Sequence, residues 1–114
     1  MRGRFFLEFI LLAMSFAPTA VTVEIVEKED IATFRFAPDD VLNDATARQN
    51  RRVDADRAVT LGNAYHGKLD IYFQTADGKA KRVATTVWAA DADHLTLKSG
   101  AALPLRAVLG FDFY

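Results

Sequence analysis

The sequence predicts a mainly β domain of the α+β class, either a small antiparallel β-barrel or a curled sheet, with one short helix inserted. Apolar residues alternate with polar ones in several short segments, which is the period-two pattern of half-buried strands. Residues typical of tight turns separate these segments, above all Asp77-Gly78 and Ser99-Gly100. A polar stretch over residues 39–62 lacks the period of two. We therefore expect the helix between an N-terminal hairpin and a barrel-like C-terminal half.

The first twenty residues have the three parts of a secretory signal peptide. Arg2 and Arg4 supply a positive start, Phe9 to Phe16 form an apolar run, and Ala17 to Ala20 form a small-residue exit. The apolar run is shorter than the roughly 20 residues that a membrane-spanning helix needs. The sequence therefore predicts cleavage near Ala20, no stable membrane span afterwards, and a periplasmic or secreted protein. The alternative is a cytoplasmic protein that either has a misplaced start codon or keeps this segment as an N-terminal helix.

Composition limits the remainder, residues 21–114, to one small β-rich domain. The chain has 14 basic and 15 acidic residues, and removal of residues 1–20 leaves a net charge near −2. This lack of basic excess argues against nucleic acid as a partner. The absence of cysteine excludes disulfides, thiolate metal sites and thiol catalysis.

The N-terminal hairpin is predicted from two alternating segments joined by a charged link at residues 28–30. Its strands carry, on their apolar faces, Val21, Val23 and Ile25, and then Ala32, Phe34 and Phe36. Pro38 ends the second strand, and Asp39 and Asp40 are suited to cap the polar stretch after it.

The polar stretch is predicted to be helical or irregular, with its best-formed part from Asp54 to Leu61. Asp54 is the expected N-cap and Gly62-Asn63 the expected stop. On this helix, Ala55, Ala58 and Val59 are expected to face the sheet. Its basic residues are expected to point to water: Arg51, Arg52 and Arg57.

The C-terminal half begins with a predicted hairpin. Leu69, Ile71 and Phe73 define its first strand, and Asp77-Gly78 suits a two-residue turn that needs positive φ at both positions. The return strand from Lys81 to about Ala90 is long enough to bend and serve two sheets. Short apolar segments around residues 95–97, 103–105 and 108–113 complete the expected set of strands.

The order of these elements resembles small Sm-like or Src-homology-type barrels over residues 68–114. The residues that carry the resemblance run from His94 to Gly100 and continue through Leu103-Pro104-Leu105 to Val108. Together with Thr85 to Ala89, the pattern is also similar to short bacterial proteins of uncharacterised activity. The resemblance implies a barrel-like fold and no particular activity.

The inventory of reactive residues predicts no enzyme, no cofactor and no metal site. Ser99 is the only serine after residue 20, and it lies in a tight turn. His66 and His94 could bind a metal together with Asp70 or Asp93. However, the two histidines are far apart in sequence, and a transition-metal site usually needs three or four ligands. A calcium loop would need a glycine and a glutamate that the densest acidic cluster lacks. Helix capping and turn formation are therefore the expected roles of Asp39, Asp40, Asn43 and Asp44.

Aromatic residues are the remaining candidates for a site. Tyr72 lies in phase with Asp70 on the polar side of its strand, and Trp88 is out of phase with its apolar neighbours. An exposed patch of such rings provides a large contact area with little rotamer entropy to lose. The predicted contact surface is Tyr72 and Trp88 with Asp70, Lys81 and Arg82; the alternative is that strand bending puts Trp88 in the core. Two further aromatic residues stand apart from the predicted core: Tyr65 and Tyr114.

The sequence thus predicts an exported, non-catalytic binding or accessory module for an unidentified protein, peptide or glycan. A second hypothesis is a cytoplasmic Sm-like barrel that contacts nucleic-acid phosphates through Arg48, Arg51, Arg52, Lys79, Lys81 and Arg82. A third hypothesis is a small metal-binding or hydrolytic protein that uses His66 and His94.

Overall fold

The computed structural model describes residues 23–114. The predicted signal peptide and its cleavage site lie outside the described residues, as do the first two residues of the predicted first strand. The elements follow in the order β1 (Val23–Val26), a 3₁₀ helix (Lys28–Thr33), α1 (Ala45–Tyr65), β2 (Leu69–Gln74), β3 (Ala80–Thr85), β4 (Val87–Ala90), β5 (His94–Leu97), β6 (Ala102–Pro104), a second 3₁₀ helix (Leu105–Ala107) and β7 (Val108–Asp112).

The strands form two sheets, one of four strands in the order β1-β3-β2-β7 and one of three in the order β4-β5-β6. The predicted α+β class is confirmed, and its curled-sheet form is the one observed, because the sheets do not close into a barrel. The core lies where both sheets meet α1. It is built mainly from Ala55, Ala58, Leu69, Ile71, Phe73, Val83, Val87, Leu95, Leu97, Leu103, Val108 and Phe111.

The predicted N-terminal hairpin is wrong, because β1 pairs in parallel with β3, with Val26 opposite Val83. The link between the expected strands folds into a 3₁₀ helix that buries Ile31. Phe34 and Phe36 lie in no strand, and instead their rings stand 6.0 and 6.1 Å from the ring of Phe73. The alternation in this segment therefore reflects side-chain burial against the sheet.

Helix α1 is longer than predicted at both ends. Asp44, not Asp54, is the N-cap and accepts a 3.0 Å hydrogen bond from the Ala47 N–H. The helix continues through Gly62 to Tyr65 and ends at His66, which adopts the left-handed conformation with φ 51°. Ala55 and Ala58 are buried, as predicted. No helix among residues 23–114 is long and apolar enough to cross a membrane.

Gly62 lets α1 approach β4 closely. A Cβ atom at this position would lie 2.0 Å from the Val87 carbonyl oxygen, well inside contact distance. The glycine is therefore needed for the close packing of α1 on β4. Its sequence context predicts a helix end, but the helix continues past it.

The central hairpin is confirmed. Strands β2 and β3 pair in antiparallel register from Leu69–Thr85 to Gln74–Ala80. The predicted two-residue turn is wrong, because the Gly78 N–H donates to the Thr75 carbonyl at 2.9 Å and the connection is therefore longer. Gly78 has φ 84°, but Asp77 does not have the predicted positive φ. The return strand also serves two sheets, as predicted, because β3 ends at Thr85 in the first sheet and β4 begins at Val87 in the second.

Arg51 is buried, so the prediction that it points to water is wrong. Its two terminal nitrogens donate to the two carboxylate oxygens of Asp40 at 2.8 and 2.7 Å, and one of them also donates to the Val108 carbonyl at 3.1 Å. Burial alone would raise the pKa of Asp40, but hydrogen bonds from Arg51 and the Leu42 N–H, with the nearby guanidinium charges, lower it below its usual 3.8. This ion pair joins α1 to the segment before it and to β7.

We expect Gly62→Ala to destabilise the protein by about 2 kcal/mol, because overpacking against rigid backbone outweighs the roughly 1 kcal/mol that alanine gains in a helix. Urea unfolding followed by circular dichroism measures this change. Asn63→Ala, at the exposed neighbouring position, is the control and should change stability little. Equal stability of the two variants would contradict the close packing of α1 on β4.

We expect Asp40→Asn to lower the free energy of unfolding by about 2 kcal/mol at pH 5. Because the pKa of Asp40 is lower in the folded state, its stabilisation is complete above 3.8 and is lost as the pH falls through the folded value. Urea unfolding at pH 5 and pH 2 should therefore show the difference from wild type shrinking in acid. Asp56→Asn removes an exposed pair and should change stability by less than about 1 kcal/mol.

Candidate functional site

Three of the five residues of the predicted contact surface come together on one face of the four-stranded sheet. Leu69, Ile71 and Phe73 point into the core, so the alternate residues Asp70 and Tyr72 point to the opposite, outer face. Arg82 lies on β3 directly opposite Tyr72. Tyr72 is only 2% exposed, however, so the expectation that it presents its ring to a ligand is wrong.

Lys81 does not belong to this group. Its position opposite Phe73 places it on the core side, where its ammonium group forms an ion pair with Glu24 and lies 5.1 Å from the centre of the Phe34 ring. The side chain is buried, so it offers no contact surface on the outer face.

Trp88 belongs to the other sheet. Strand β4 pairs with β5, but the register shifts after Val87: Val87 lies opposite Leu97, and the next paired residue is Ala89, opposite Thr96. This bulge leaves Trp88 without an opposite residue. The indole is 47% exposed. Trp88 does not form a patch with Tyr72, because the chain passes from one sheet to the other at Thr86. It does not lie in the core either, because the bulge in β4 leaves its side chain half exposed.

The outer face carries a cluster of polar side chains around Asp70. The Tyr114 hydroxyl donates to Asp70 Oδ1 at 2.7 Å, and Arg82 Nε lies 4.0 Å from Asp70 Oδ2. Asp112 lies opposite Asp70 on β7, and burial together with this neighbouring carboxylate raises the pKa of Asp112. Burial and the hydrogen bond to Asp70 raise the pKa of Tyr114 to about 12.

A groove of about 560 Å³ runs between α1 and the end of β7. Two aromatic residues at this groove are among the most exposed of the described chain: Tyr65, 75% exposed, at the end of α1, and Tyr114, 79% exposed, beyond β7. We call it the Tyr65–Tyr114 groove, and its lining consists of Val53, Asp56, Arg57, Thr60, Leu61, Tyr65, Phe113 and Tyr114. An exposed concave surface of this kind is a common place for ligand contact.

Arg57 is the charged side chain best placed to act in this groove. Its guanidinium lies 4.7 Å from the centre of the Phe113 ring, which orients it by a cation–π contact. Among residues 23–114, no ion pair joins Arg57 to a carboxylate. The neighbouring Asp56 pairs with Arg52 at 2.8 Å, and Arg52 also donates to the Asp91 carbonyl at 2.7 Å.

The sequence singled out Tyr65 and Tyr114 but could not place them together. The predicted helix stopped at Leu61, which left Tyr65 outside it, and the two tyrosines are 49 residues apart. The sequence predicts for Arg57 only that its side chain points to water. A helical phase carried through Gly62 would have put Val53, Arg57, Leu61 and Tyr65 at intervals of four residues, on one face.

The other predicted candidates have structural roles. The backbone of His66 closes α1, and His94 begins β5. Within the described chain, no three His, Cys, Asp or Glu side chains are grouped so as to hold a metal ion. Ser99 Oγ accepts from the Ala101 N–H at 3.3 Å within its turn. Asp44 caps α1, as predicted, whereas Asp40 accepts from the Leu42 N–H in a turn before the helix and so forms a turn instead of a cap.

Most cations of the nucleic-acid hypothesis have partners within the protein. Arg48 and Arg51 contact Asp40, Lys81 pairs with Glu24, Arg52 pairs with Asp56, and Arg82 lies beside Asp70. Phosphate binding would therefore compete with existing intramolecular contacts at five of its six proposed residues.

Comparisons of the chain with protein-family models, with curated proteins and with solved structures found no match. The resemblance to Sm-like and Src-homology-type barrels therefore stays a prediction.

Proposed function

We propose that this protein is a non-catalytic binding module that works outside the cytoplasm and holds an extended, apolar and acidic peptide segment of a partner protein. The observation that carries the proposal is the Tyr65–Tyr114 groove. Its exposed tyrosines and Arg57 face one concave surface, although α1 and the C-terminal residues are distant in sequence.

The apolar part of the lining favours a peptide with apolar side chains. Val53, Leu61 and Phe113 provide aliphatic and aromatic contact area, and the two exposed tyrosines flank it. Tyrosine gives a large contact area with few rotatable bonds, which is why it is enriched where proteins bind one another. An extended segment is favoured because the groove is an open surface between two elements rather than an enclosed cavity.

Charge favours an acidic segment. Arg57 has a ring contact but no carboxylate partner among residues 23–114, whereas Asp56 is neutralised by Arg52. A peptide carboxylate at Arg57 would complete an ion pair without breaking one. An acidic ligand therefore fits the groove better than a basic one.

The compartment rests on residues 1–20 alone. Arg2, Arg4 and the apolar run from Phe9 to Phe16 support export. If export occurs, mass spectrometry of the natural protein should find a new N-terminus near Val21 in a periplasmic or secreted fraction. An intact chain beginning at Met1 among cytosolic proteins would contradict this part of the proposal.

Peptide binding is tested by titrating the ¹⁵N-labelled protein with two capped peptides, Gly-Glu-Leu-Phe-Glu-Gly and Gly-Lys-Leu-Phe-Lys-Gly. We expect saturable shifts of the amides at Tyr65, Phe113 and Tyr114, with the acidic peptide binding about two- to fivefold more tightly, as an exposed ion pair predicts. Arg57→Gln should remove this preference. Tyr65→Ala should weaken binding of both peptides about tenfold.

Trp88→Ala is the matched control, because it removes an exposed aromatic side chain from the other sheet. It should leave both affinities unchanged. Shifts centred on Trp88, or no saturable shift at the groove, would overturn the proposed function.

A further inference from the structure

We propose that Asp70 is a positioning residue for the Tyr65–Tyr114 groove: from the outer face of the sheet it holds the Tyr114 ring in place as a preformed wall for the peptide. This inference rests on the proposed function. It assigns a specific role in ligand binding to a residue that does not line the groove.

Asp70 itself is held rigidly. It lies within β2, between β3 and β7, so its backbone is paired on both sides. Its side chain is buried beside the guanidinium of Arg82, which lies opposite Tyr72 on the paired strand. The carboxylate therefore offers a fixed acceptor.

Tyr114 needs such an acceptor. It follows β7, which ends at Asp112, so the sheet does not hold its backbone. Its side chain is largely exposed. The contact that holds the ring is the 2.7 Å hydrogen bond that its hydroxyl donates to Asp70. Chain segments beyond the last paired residue are ordinarily mobile. Without Asp70, the ring would therefore sample several orientations at the groove.

Ordering a side chain during binding reduces affinity. Immobilising one rotamer-rich side chain at an interface weakens binding by about three- to tenfold. A ring that is already held by Asp70 avoids this loss, which is the advantage of a preorganised site. The hydrogen bond to Asp70 also contributes, after desolvation, to the raised pKa of Tyr114, which makes the contact measurable by titration.

The test measures affinity for the acidic peptide Gly-Glu-Leu-Phe-Glu-Gly in four variants. Tyr114→Phe keeps the ring but loses the donor, and Asp70→Ala loses the acceptor; each should weaken binding about three- to tenfold. The double variant should bind no more weakly than either single one, because both remove the same hydrogen bond. Asp70→Asn keeps an acceptor oxygen and should recover most of the affinity.

A spectroscopic measurement shows whether the hydrogen bond is present in each variant. At pH 11 the Tyr114 phenol of the wild type should stay mostly neutral, because its pKa is about 12. Asp70→Ala should carry more phenolate at this pH in ultraviolet absorbance, because the hydrogen bond and the negative charge that favour the neutral phenol are removed, with the fold verified by circular dichroism. In the Tyr114→Phe background, Asp70→Ala should change nothing.

The outcomes separate the two proposals. If Tyr65→Ala weakens peptide binding while Tyr114→Phe and Asp70→Ala bind like the wild type, the groove is correct and the positioning role is wrong. If Asp70→Asn binds as weakly as Asp70→Ala, or if the phenolate content does not respond to Asp70, the positioning role is also wrong. If no variant alters binding because no peptide binds, the proposed function fails.

Discussion

The buried ion pair between Arg51 and Asp40 is the interaction on which the arrangement of the site depends. Through Asp40 and the Val108 carbonyl, one guanidinium on α1 is bonded to the segment before the helix and to β7. A buried guanidinium that lost these acceptors would be costly, so the helix cannot slide along β7 without losing them. The Tyr65–Tyr114 groove lies between these same two elements, and the ion pair thereby defines its position.

Close packing at Gly62 sets the second boundary of the site. The approach of α1 to β4 is possible only without a side chain at this position, and it carries the helix past the glycine to Tyr65. A helix that ended at Leu61 would leave one wall of the groove without its aromatic residue. The helix thus continues through a residue that disfavours helices in isolation, because tertiary packing outweighs a propensity of about 1 kcal/mol.

The two sides of the four-stranded sheet contribute differently. Its inner face supplies the apolar core, while its outer face brings Asp70, Arg82 and Tyr72 together, and Asp70 is connected to the groove by its hydrogen bond from Tyr114. Polar groups that satisfy one another in this way restrict side-chain orientation. The sequence predicted a contact surface at these residues, whereas the role proposed above for Asp70 is to orient a ring.

The sequence by itself determined the features that depend on near neighbours. The alternation in residues 69–74, the place of the hairpin connection at Gly78 and the division of the long strand around Thr86 are local patterns, and all three are confirmed, although the connection is longer than the predicted two-residue turn. Only the tertiary structure decided which surfaces meet. The parallel partner of β1, the burial of Arg51, the bulge at Trp88 and the meeting of Arg57 with Phe113 depend on pairings across tens of residues. Periodicity shows that a side chain prefers burial, but the partner against which it packs is chosen by the whole fold, because burial energy is non-directional.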